Sequence, residues 1–176
     1  YLQGAFKQAN QMKDIINIVL DARKMEVGQE VLHISSHPLH KWIQEVAETF
    51  QTASKAKEIE ITYDFDDSIQ YIAYDDTKCK VVLSNLIMNA LKYSPNQTRI
   101  VIKTIRTNES IQVHVQDQGI GLDNVDIKKL FTRFYQGKHN EGGSGIGLSY
   151  AKMLIDLHGG RMGAFNNKDR GATFFY

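Results

Sequence analysis

Two asparagines and a lysine are spaced so that a helix would place them on one narrow stripe. In the segment Val82–Pro95, Asn85, Asn89 and Lys92 share that side at about 100° per residue. The opposite, broader side carries Leu83, Leu86, Ile87, Ala90 and Leu91. Amide oxygens can bind a cation and an ammonium group can bind an anion, so the stripe could line a site for a metal–phosphate ligand. The alternative is a polar outer face, although such faces usually pair Glu with Lys.

Two glycine-containing segments could hold other parts of a ligand. In Asp117-Gln118-Gly119-Ile120-Gly121, a carboxylate at a strand end can accept hydrogen bonds from a heterocyclic amino group, and the glycines let the backbone pass closely. Gly142–Leu148 leads into a predicted helix, where free N–H groups and the helix dipole favour an anion. Taken alone, the first segment could be only a turn and the second a flexible hinge. The second segment matches neither a Walker A loop nor a dinucleotide fingerprint, because it lacks the Gly-Lys-Ser/Thr end and no strand directly precedes it.

Length, composition and charge limit the possible classes of function. A chain of 176 residues can form one domain with a core plus an appendage. The net charge of +1 gives no general reason to expect a nucleic acid or an anionic membrane as partner. The single cysteine, Cys79, excludes an intramolecular disulfide and falls on the apolar side of the central helix. Because the chain begins in mid-pattern at Tyr1 and stops on an apolar strand at Tyr176, we expect a piece of a larger protein.

The elements that must position these residues alternate between helical and strand periodicity. Helices are predicted over Leu2–Met25, from Ser36 to Phe50, over Val82–Pro95 with Asp75 or Asp76 as cap, near Ile127–Phe134, and over Ile146–His158. Strands are predicted over Val31–Ile34, Glu58–Phe65, Gln70–Tyr74, Thr98–Thr107, Ser110–Asp117, Arg161–Asn166 and Ala172–Tyr176. This order predicts an α/β (α+β) two-layer sandwich, with a mainly antiparallel, mixed sheet and helices on one face, preceded by a long N-terminal helix. The heptad spacing in that first helix favours a bundle helix over an ordinary amphipathic one.

Five motifs follow one another along the chain. They are Asn85/Asn89, Asp117-x-Gly-x-Gly, Phe131-Thr-Arg-Phe134-Tyr, Gly143-x-Gly145-x-Gly147 and Gly171-Ala-Thr173. Their order resembles the ATP-binding catalytic domain of sensor histidine kinases, where these are the N, G1, F, G2 and G3 motifs of the Bergerat ATP-binding fold. The resemblance covers about Val31 to the C terminus. It implies that residues 1–28 end a dimerisation and phosphotransfer hairpin and that residues 29–176 form the catalytic domain.

The resemblance also implies a role for each matched residue. Asn89 would bind Mg²⁺ with Asn85 assisting, and Asp117 would read the adenine amino group of ATP. A hydroxyl on Thr173 would assist that contact, often through water. Further residues that the match places at the nucleotide are Lys92, Tyr93, Gly119, Gly121, Gly143, Ser144, Gly145, Ile146, Gly147 and Leu148.

Basic and aromatic residues crowd the segment between the two glycine motifs, which matches the mobile ATP lid of the family. Arg133 and Lys138 flank the aromatic motif and could clamp phosphate oxygens, or they could simply keep a solvated loop soluble. We expect Phe131, Phe134 and Tyr135 to pack within the lid rather than to stack on a base.

The implied activity is that of a protein-histidine kinase. The γ-phosphoryl group of Mg²⁺–ATP would pass to a histidine upstream of this chain and then to an aspartate on a response regulator receiver domain. The parent protein would be a homodimer anchored in the bacterial inner membrane, with this domain in the cytoplasm and no nucleic acid as partner.

Two other readings come from different classes of protein. Fold-related gyrase-like or heat-shock chaperone ATPases carry a glutamate four residues before the metal asparagine, to activate water. Here that position is Asn85, which cannot act as a base, so a kinase is favoured. A nucleotide-binding scaffold that only docks partners through Leu2–Met25 is the second alternative, and the intact ATP motifs argue against it.

The chain departs from the family pattern at two points. Asp169 stands where the third glycine motif commonly has its first glycine, which puts the geometry of that loop in question. No histidine of the chain is followed by Asp or Glu and then a proline, so the phosphoacceptor is missing. His33, His37 and His40 could suggest a metal site, but their strand-to-helix spacing makes surface and capping roles the expected ones.

Overall fold

The computed structural model describes residues 16, 20, 30–123, 125–135 and 145–176. The predicted helix over Leu2–Met25 therefore lies outside the described residues except at Ile16 and Leu20, which are both helical and exposed. The division into residues 1–28 and 29–176 stays a prediction. In the described ranges, no helix combines the length and the apolar character needed to cross a bilayer.

The elements follow the predicted order. The helices are α1 (Leu39–Glu48), α2 (Gln51–Ala56), α3 (Asp76–Tyr93), α4 (Ile127–Leu130) and α5 (Gly147–Leu157). The strands are β1 (Ser35–Pro38), β2 (Glu60–Asp64), β3 (Tyr71–Tyr74), β4 (Arg99–Arg106), β5 (Ile111–Gln116), β6 (Gly163–Asn166) and β7 (Ala172–Phe175).

The sheet is mixed and mainly antiparallel, as predicted. Its strand order is β2–β4–β5–β7–β6, and only β2 and β4 run parallel. The core lies between one face of this sheet and the helices, where Leu83 of α3, Ile102 of β4 and Leu154 of α5 are almost completely buried. Burying one apolar face of a sheet under amphipathic helices removes both apolar surfaces from water, so the two-layer prediction is confirmed.

Helix α3 runs through the middle of the domain and is capped at both ends. Asp75 is the N-cap, and its carboxylate accepts a hydrogen bond of 3.0 Å from the Lys78 amide. At the other end, the Lys57 ammonium donates bonds of 2.7 Å to the carbonyl oxygens of Leu91 and Ser94. A cation at a helix C terminus meets both the orphan carbonyls and the negative end of the helix dipole. The Lys57 cap was not predicted.

Two predictions about the first half of the chain are wrong, and one short helix was missed. The strand predicted over Val31–Ile34 is instead β1, four residues later, and Val31 is 67% exposed. β1 pairs with β3 in a separate two-stranded ribbon, so backbone pairing rather than apolar side chains decides its position. Helix α1 consequently begins at Leu39, after the extended Pro38. The short helix α2 was not predicted.

Candidate functional site

The carboxylate of Asp117 is buried at the end of β5 and is 4% exposed. Its Oδ1 accepts hydrogen bonds of 2.8 Å from the Gly119 amide and 3.1 Å from the Ala172 amide. In the described part of the chain, both of these bonds go to the same oxygen, so Oδ2 is the oxygen left to meet a ligand. Burial raises the pKa of Asp117 above its ordinary value, against the opposing effect of the two amides.

The glycines beside Asp117 are required by close packing. A Cβ on Gly119 would lie 2.7 Å from the Tyr93 carbonyl oxygen at the end of α3, so only glycine allows this approach. A Cβ on Gly171 would lie 2.2 Å from the Asp117 carbonyl oxygen, and Gly171 has a φ of +84°. Among the described residues of this hairpin, Gly171 alone has a positive φ, so Asp169 causes no strain where the family commonly has glycine.

The stripe on α3 faces the start of α5 rather than open solvent. Asn85, Asn89 and Lys92 are all half-buried. The Asn85 amide nitrogen donates 3.0 Å to the Val81 carbonyl oxygen of its own helix. Its Oδ1 then points to Gly147, where a Cβ would come within 2.7 Å of it. A polar outer face of α3 is therefore not what the fold builds here.

The segment of α3 from Asn85 to Tyr93 meets a different part of the predicted site at each end. Asn85 lies at the N-terminus of α5, and Tyr93 lies beside Gly119 and hence beside Asp117. Eight residues of helix separate Asn85 from Tyr93, which corresponds to ~12 Å along its axis. Between them, the Lys92 ammonium donates 3.2 Å to the Tyr93 hydroxyl and lies 4.8 Å from its ring centroid.

Helix α5 begins beside Asn85 of this stripe. Ile146 precedes its first residue and is 3% exposed, and Leu148 packs partly against the core. Within the described residues, no side chain caps this N-terminus and its first turn contains no acidic group. An uncapped helix start of this kind favours an anion, because its N–H groups and its dipole act in the same direction.

A backbone hydrogen bond joins Phe134, inside the predicted lid, to Gly145 at its end. The Phe134 amide donates 2.9 Å to the Gly145 carbonyl oxygen, and the two residues have φ values of +63° and +67°. Phe131 packs partly against the core, whereas Phe134 is 66% exposed. The predicted site residues Lys138, Gly143 and Ser144 lie outside the described residues. The Arg133 guanidinium is 3.7 Å from the Met153 sulfur, along the exposed side of α5 rather than at its N-terminus.

Comparison with protein families places this arrangement among known ATPases. Residues 74–176, which hold α3 and all five motifs, match the model of the histidine kinase-, DNA gyrase B-, and HSP90-like ATPases. The chain belongs to this family. The resemblance drawn from the motifs, and the Bergerat-type fold that it implied, are therefore confirmed.

Several named relatives of this chain are histidine kinases. The histidine kinase P4 of Formosa agariphila is 30% identical over 174 residues, which are 95% of this chain and 13% of that protein. The full-length ShkA crystal structure in complex with AMPPNP superposes with a TM-score of 0.87 at 21% identity, over 99% of this chain and 37% of ShkA. The histidine kinase ThkA, in its complex with the response regulator TrrA, superposes with a TM-score of 0.75 at 25% identity. The match covers 95% of this chain and 47% of the ThkA chain. The chain thus spans a small part of its curated relative.

Thr173 is not on the same face of the sheet as Asp117, which corrects the expected contact. It pairs with Gln116, and strand side chains alternate between faces, so the Thr173 hydroxyl lies on the side away from the helices. The next pair on that outer side, His114 and Phe175, stacks ring on ring at 5.4 Å. The residue of this motif that contacts Asp117 directly is Ala172, through its amide.

His37, His40 and the single cysteine each contact a side chain of the fold. His37 contacts the Ser35 hydroxyl at 2.7 Å, and His40 contacts the Thr104 hydroxyl at 3.1 Å. In the described ranges, no group of three or more His, Cys, Asp or Glu side chains could hold a metal ion. Cys79 is buried, as predicted, and its sulfur is 3.8 Å from His158.

Proposed function

We propose that this chain is the ATP-binding catalytic domain of a sensor histidine kinase. One observation carries the proposal: a buried carboxylate acceptor and a helix N-terminus that no described side chain caps lie at opposite ends of the α3 segment from Asn85 to Tyr93, which is ~12 Å long. One end suits a base with an exocyclic amino group and the other suits phosphates. Because the chain spans only 13% of its curated relative, the activity of the whole protein is part of the proposal.

ATP would lie along α3 with its base at β5. The Oδ2 of Asp117 would accept a hydrogen bond from the adenine amino group, since Oδ1 is already held by two amides. The phosphates would meet the first turn of α5, and the ammonium group of Lys92 would offset their charge.

The amide oxygens of the stripe fit the oxygen chemistry that Mg²⁺ requires. Asn89 would be the protein ligand, and Asn85 would assist. Only the amide oxygen of Asn85 could do so, because its amide nitrogen is bonded to the Val81 carbonyl oxygen; the Asn85 oxygen points to Gly147. Bound there, Mg²⁺ would neutralise charge on the phosphate oxygens. One neutral ligand plus phosphates and water is a usual environment for this ion.

The chemistry of this domain is positioning rather than proton transfer. Asn85 stands where a water-activating ATPase would need a carboxylate, so this position offers no base to direct water at ATP. Aligning the γ-phosphoryl group and offsetting its charge are the main contributions that a protein makes to phosphoryl transfer. The nucleophile would be a histidine on a dimerisation hairpin preceding this chain in the parent.

The further partners follow from the same role. The structure of ThkA with the response regulator TrrA is the precedent for proposing a receiver domain as the final acceptor. We propose that the parent is a homodimer anchored in the bacterial inner membrane, with this domain on the cytoplasmic side.

The experiment that tests the proposal separates binding from transfer. The chain is incubated with γ-labelled ATP and Mg²⁺, alone and with a polypeptide containing the dimerisation hairpin of a related kinase. We expect no label on the chain itself and acid-labile, base-stable label on the hairpin. Stoichiometric acid-labile label on the chain alone, lost in His37→Ala, would contradict the assignment of the acceptor. Release of inorganic phosphate with no labelled hairpin would instead indicate an ATPase.

The metal assignment has its own test, in Asn89→Ala compared with Met88→Ala. Met88 is the neighbouring residue on α3 and is 53% exposed, so it serves as a matched control. We expect Asn89→Ala to remove most of the increase in ATP affinity that Mg²⁺ causes, and Met88→Ala to retain it. Equal responses to Mg²⁺ in both variants would reject Asn89 as a ligand.

A further inference from the structure

Asn167, in the hairpin between β6 and β7, bonds the backbone of Asp117 as well as two residues that follow it in the chain. Its amide nitrogen donates 2.8 Å to the Asp117 carbonyl oxygen and 3.1 Å to that of Arg170. Its amide oxygen accepts a bond of 2.6 Å from the Thr173 hydroxyl. No motif of the sequence contains Asn167, and its contact with Asp117 spans fifty residues of chain.

The contacts themselves determine how the Asn167 side chain is oriented. Carbonyl oxygens only accept, so the amide nitrogen must face Asp117 and Arg170. The amide oxygen then faces Thr173, and the hydroxyl there must be the donor. The reversed amide would set the Asn167 oxygen against the carbonyl oxygens of Asp117 and Arg170, with no proton to join them. The hydrogen-bond partners therefore determine which end of the amide is nitrogen.

The peptide that Asn167 holds is the one that leads into the Asp117 turn. The Asp117 carbonyl belongs to the peptide between Asp117 and Gln118. The Gly119 amide, which belongs to the next peptide, donates to Oδ1 of the same aspartate, so holding the first peptide restrains one end of the turn that holds the carboxylate. Gly171 also lies close to the Asp117 carbonyl oxygen.

We infer that Asn167, oriented by the Thr173 hydroxyl, is a positioning residue that aims the Asp117 carboxylate at the amino group of the bound base. This inference rests on the proposed ATP binding and extends it to a residue on the outer side of the sheet. It also gives Thr173 an indirect role in place of the direct one expected from its motif. The amide acts through Asp117 and touches no part of the nucleotide.

The test measures a ratio that general loosening of the hairpin would leave unchanged. Affinity is measured for ATP and for purine riboside triphosphate, which lacks the amino group, by calorimetry on the same chain. Asn167→Ala should lower the ratio of the two affinities about fivefold, the value of one ordinary hydrogen bond. Asn167→Asp keeps the shape but faces two carbonyls with oxygen, and it should lower the ratio at least as far. Thr173→Val should lower it less, and Thr173→Ser should restore it.

Two comparisons keep the outcome decisive. In an Asp117→Asn background, Asn167→Ala should change the ratio no further, because the acceptor that it positions is already lost. Asn166→Ala removes the same kind of side chain from the same hairpin, but its bonds go to Leu122 and Asp123, so it should leave the ratio unchanged. The inference would be overturned if Asn167→Ala lowered the affinities for both nucleotides equally. It would also be overturned if Asn167→Ala changed the ratio as much in the Asp117→Asn background as in wild type. Either result would leave the proposed ATP binding intact. A wild-type chain that binds no ATP would reject the proposed function and the inference together.

Discussion

The backbone amide of Phe134 donates a hydrogen bond of 2.9 Å to the carbonyl oxygen of Gly145. Both residues occupy the left-handed region, with φ of +63° and +67°. This bond joins the aromatic motif inside the predicted lid to the end of the lid, immediately before α5 begins at Gly147. The backbone that carries the lid is therefore coupled to the helix N-terminus proposed to receive phosphate.

Gly145→Ala should disturb this junction beyond the ordinary cost of a left-handed alanine. Its Cβ would lie 2.8 Å from the Phe134 carbonyl carbon, and this is backbone that cannot rotate away. We expect ATP affinity to fall about tenfold, equivalent to ~1.4 kcal/mol. Gly159→Ala is the matched control, because Gly159 has a φ of +72° with nothing within 4 Å of the added Cβ. Both variants should lose about 1 kcal/mol of stability from backbone strain. Equal ATP affinities in the two variants, measured by calorimetry, would contradict the coupling.

Asp117→Asn should weaken ATP binding while preserving the fold. The asparagine oxygen can still accept the amides of Gly119 and Ala172, but the second oxygen becomes an NH₂ group that cannot accept. A charged acceptor contributes about 1.5–3 kcal/mol, so affinity should fall roughly ten- to over a hundredfold. The neighbouring Gln118→Ala is the control, since Gln118 is exposed and bonds the Arg99 amide. An unchanged ATP affinity in Asp117→Asn would remove the adenine assignment.

Lys57→Met should destabilise the C-terminal end of α3. The apolar chain is kept, while the ammonium that donates to the carbonyl oxygens of Leu91 and Ser94 is lost. Leaving those acceptors unmet should lower the free energy of unfolding by about 1–3 kcal/mol in urea denaturation. The exposed Lys55, at the end of α2, provides the control variant Lys55→Met. If the two variants are equally stable, the cap contributes nothing.

Cys79 should be unreactive in the folded chain and should contribute to alkaline unfolding. Burial, followed by the charges of Asp75 and Asp76, raises the pKa of its thiol to about 12. A pKa raised in the folded state gives stability that is complete below the ordinary thiol pKa of 9.0 and is lost as pH rises towards about 12. Between about pH 8 and pH 10.5, the free energy of unfolding should therefore fall by about 1–2 kcal/mol less in Cys79→Ala than in wild type. This buried environment would be contradicted if urea denaturation showed the same fall in stability with pH for wild type and Cys79→Ala. Rapid labelling of the native thiol by a disulfide reagent would also contradict it.

Local pattern was sufficient for the helix and the strand that carry Asn85, Asn89 and Asp117. Apolar residues at helical spacing predicted the buried side of α3 and left Asn85 and Asn89 on a separate stripe, as the fold has them. Alternation followed by Asp-x-Gly-x-Gly predicted a strand that ends in an acceptor, and Asp117 is indeed buried there. These properties depend on neighbours within one or two turns of chain, which is the range over which sequence periodicity carries information.

The tertiary structure decided which distant side chains meet and which face each strand residue takes. Lys57 reaches the end of α3 across 34 residues of chain, and Asn167 reaches Asp117 across 50, so no local pattern contains either contact. Thr173 shows the second limit, because strand side chains alternate with a period of two and a displacement of one residue exchanges the faces. Its motif predicted a place beside Asp117, but pairing with Gln116 puts it on the outer side, where its hydroxyl bonds to Asn167. Such a register is set only when the strands pair along their whole length.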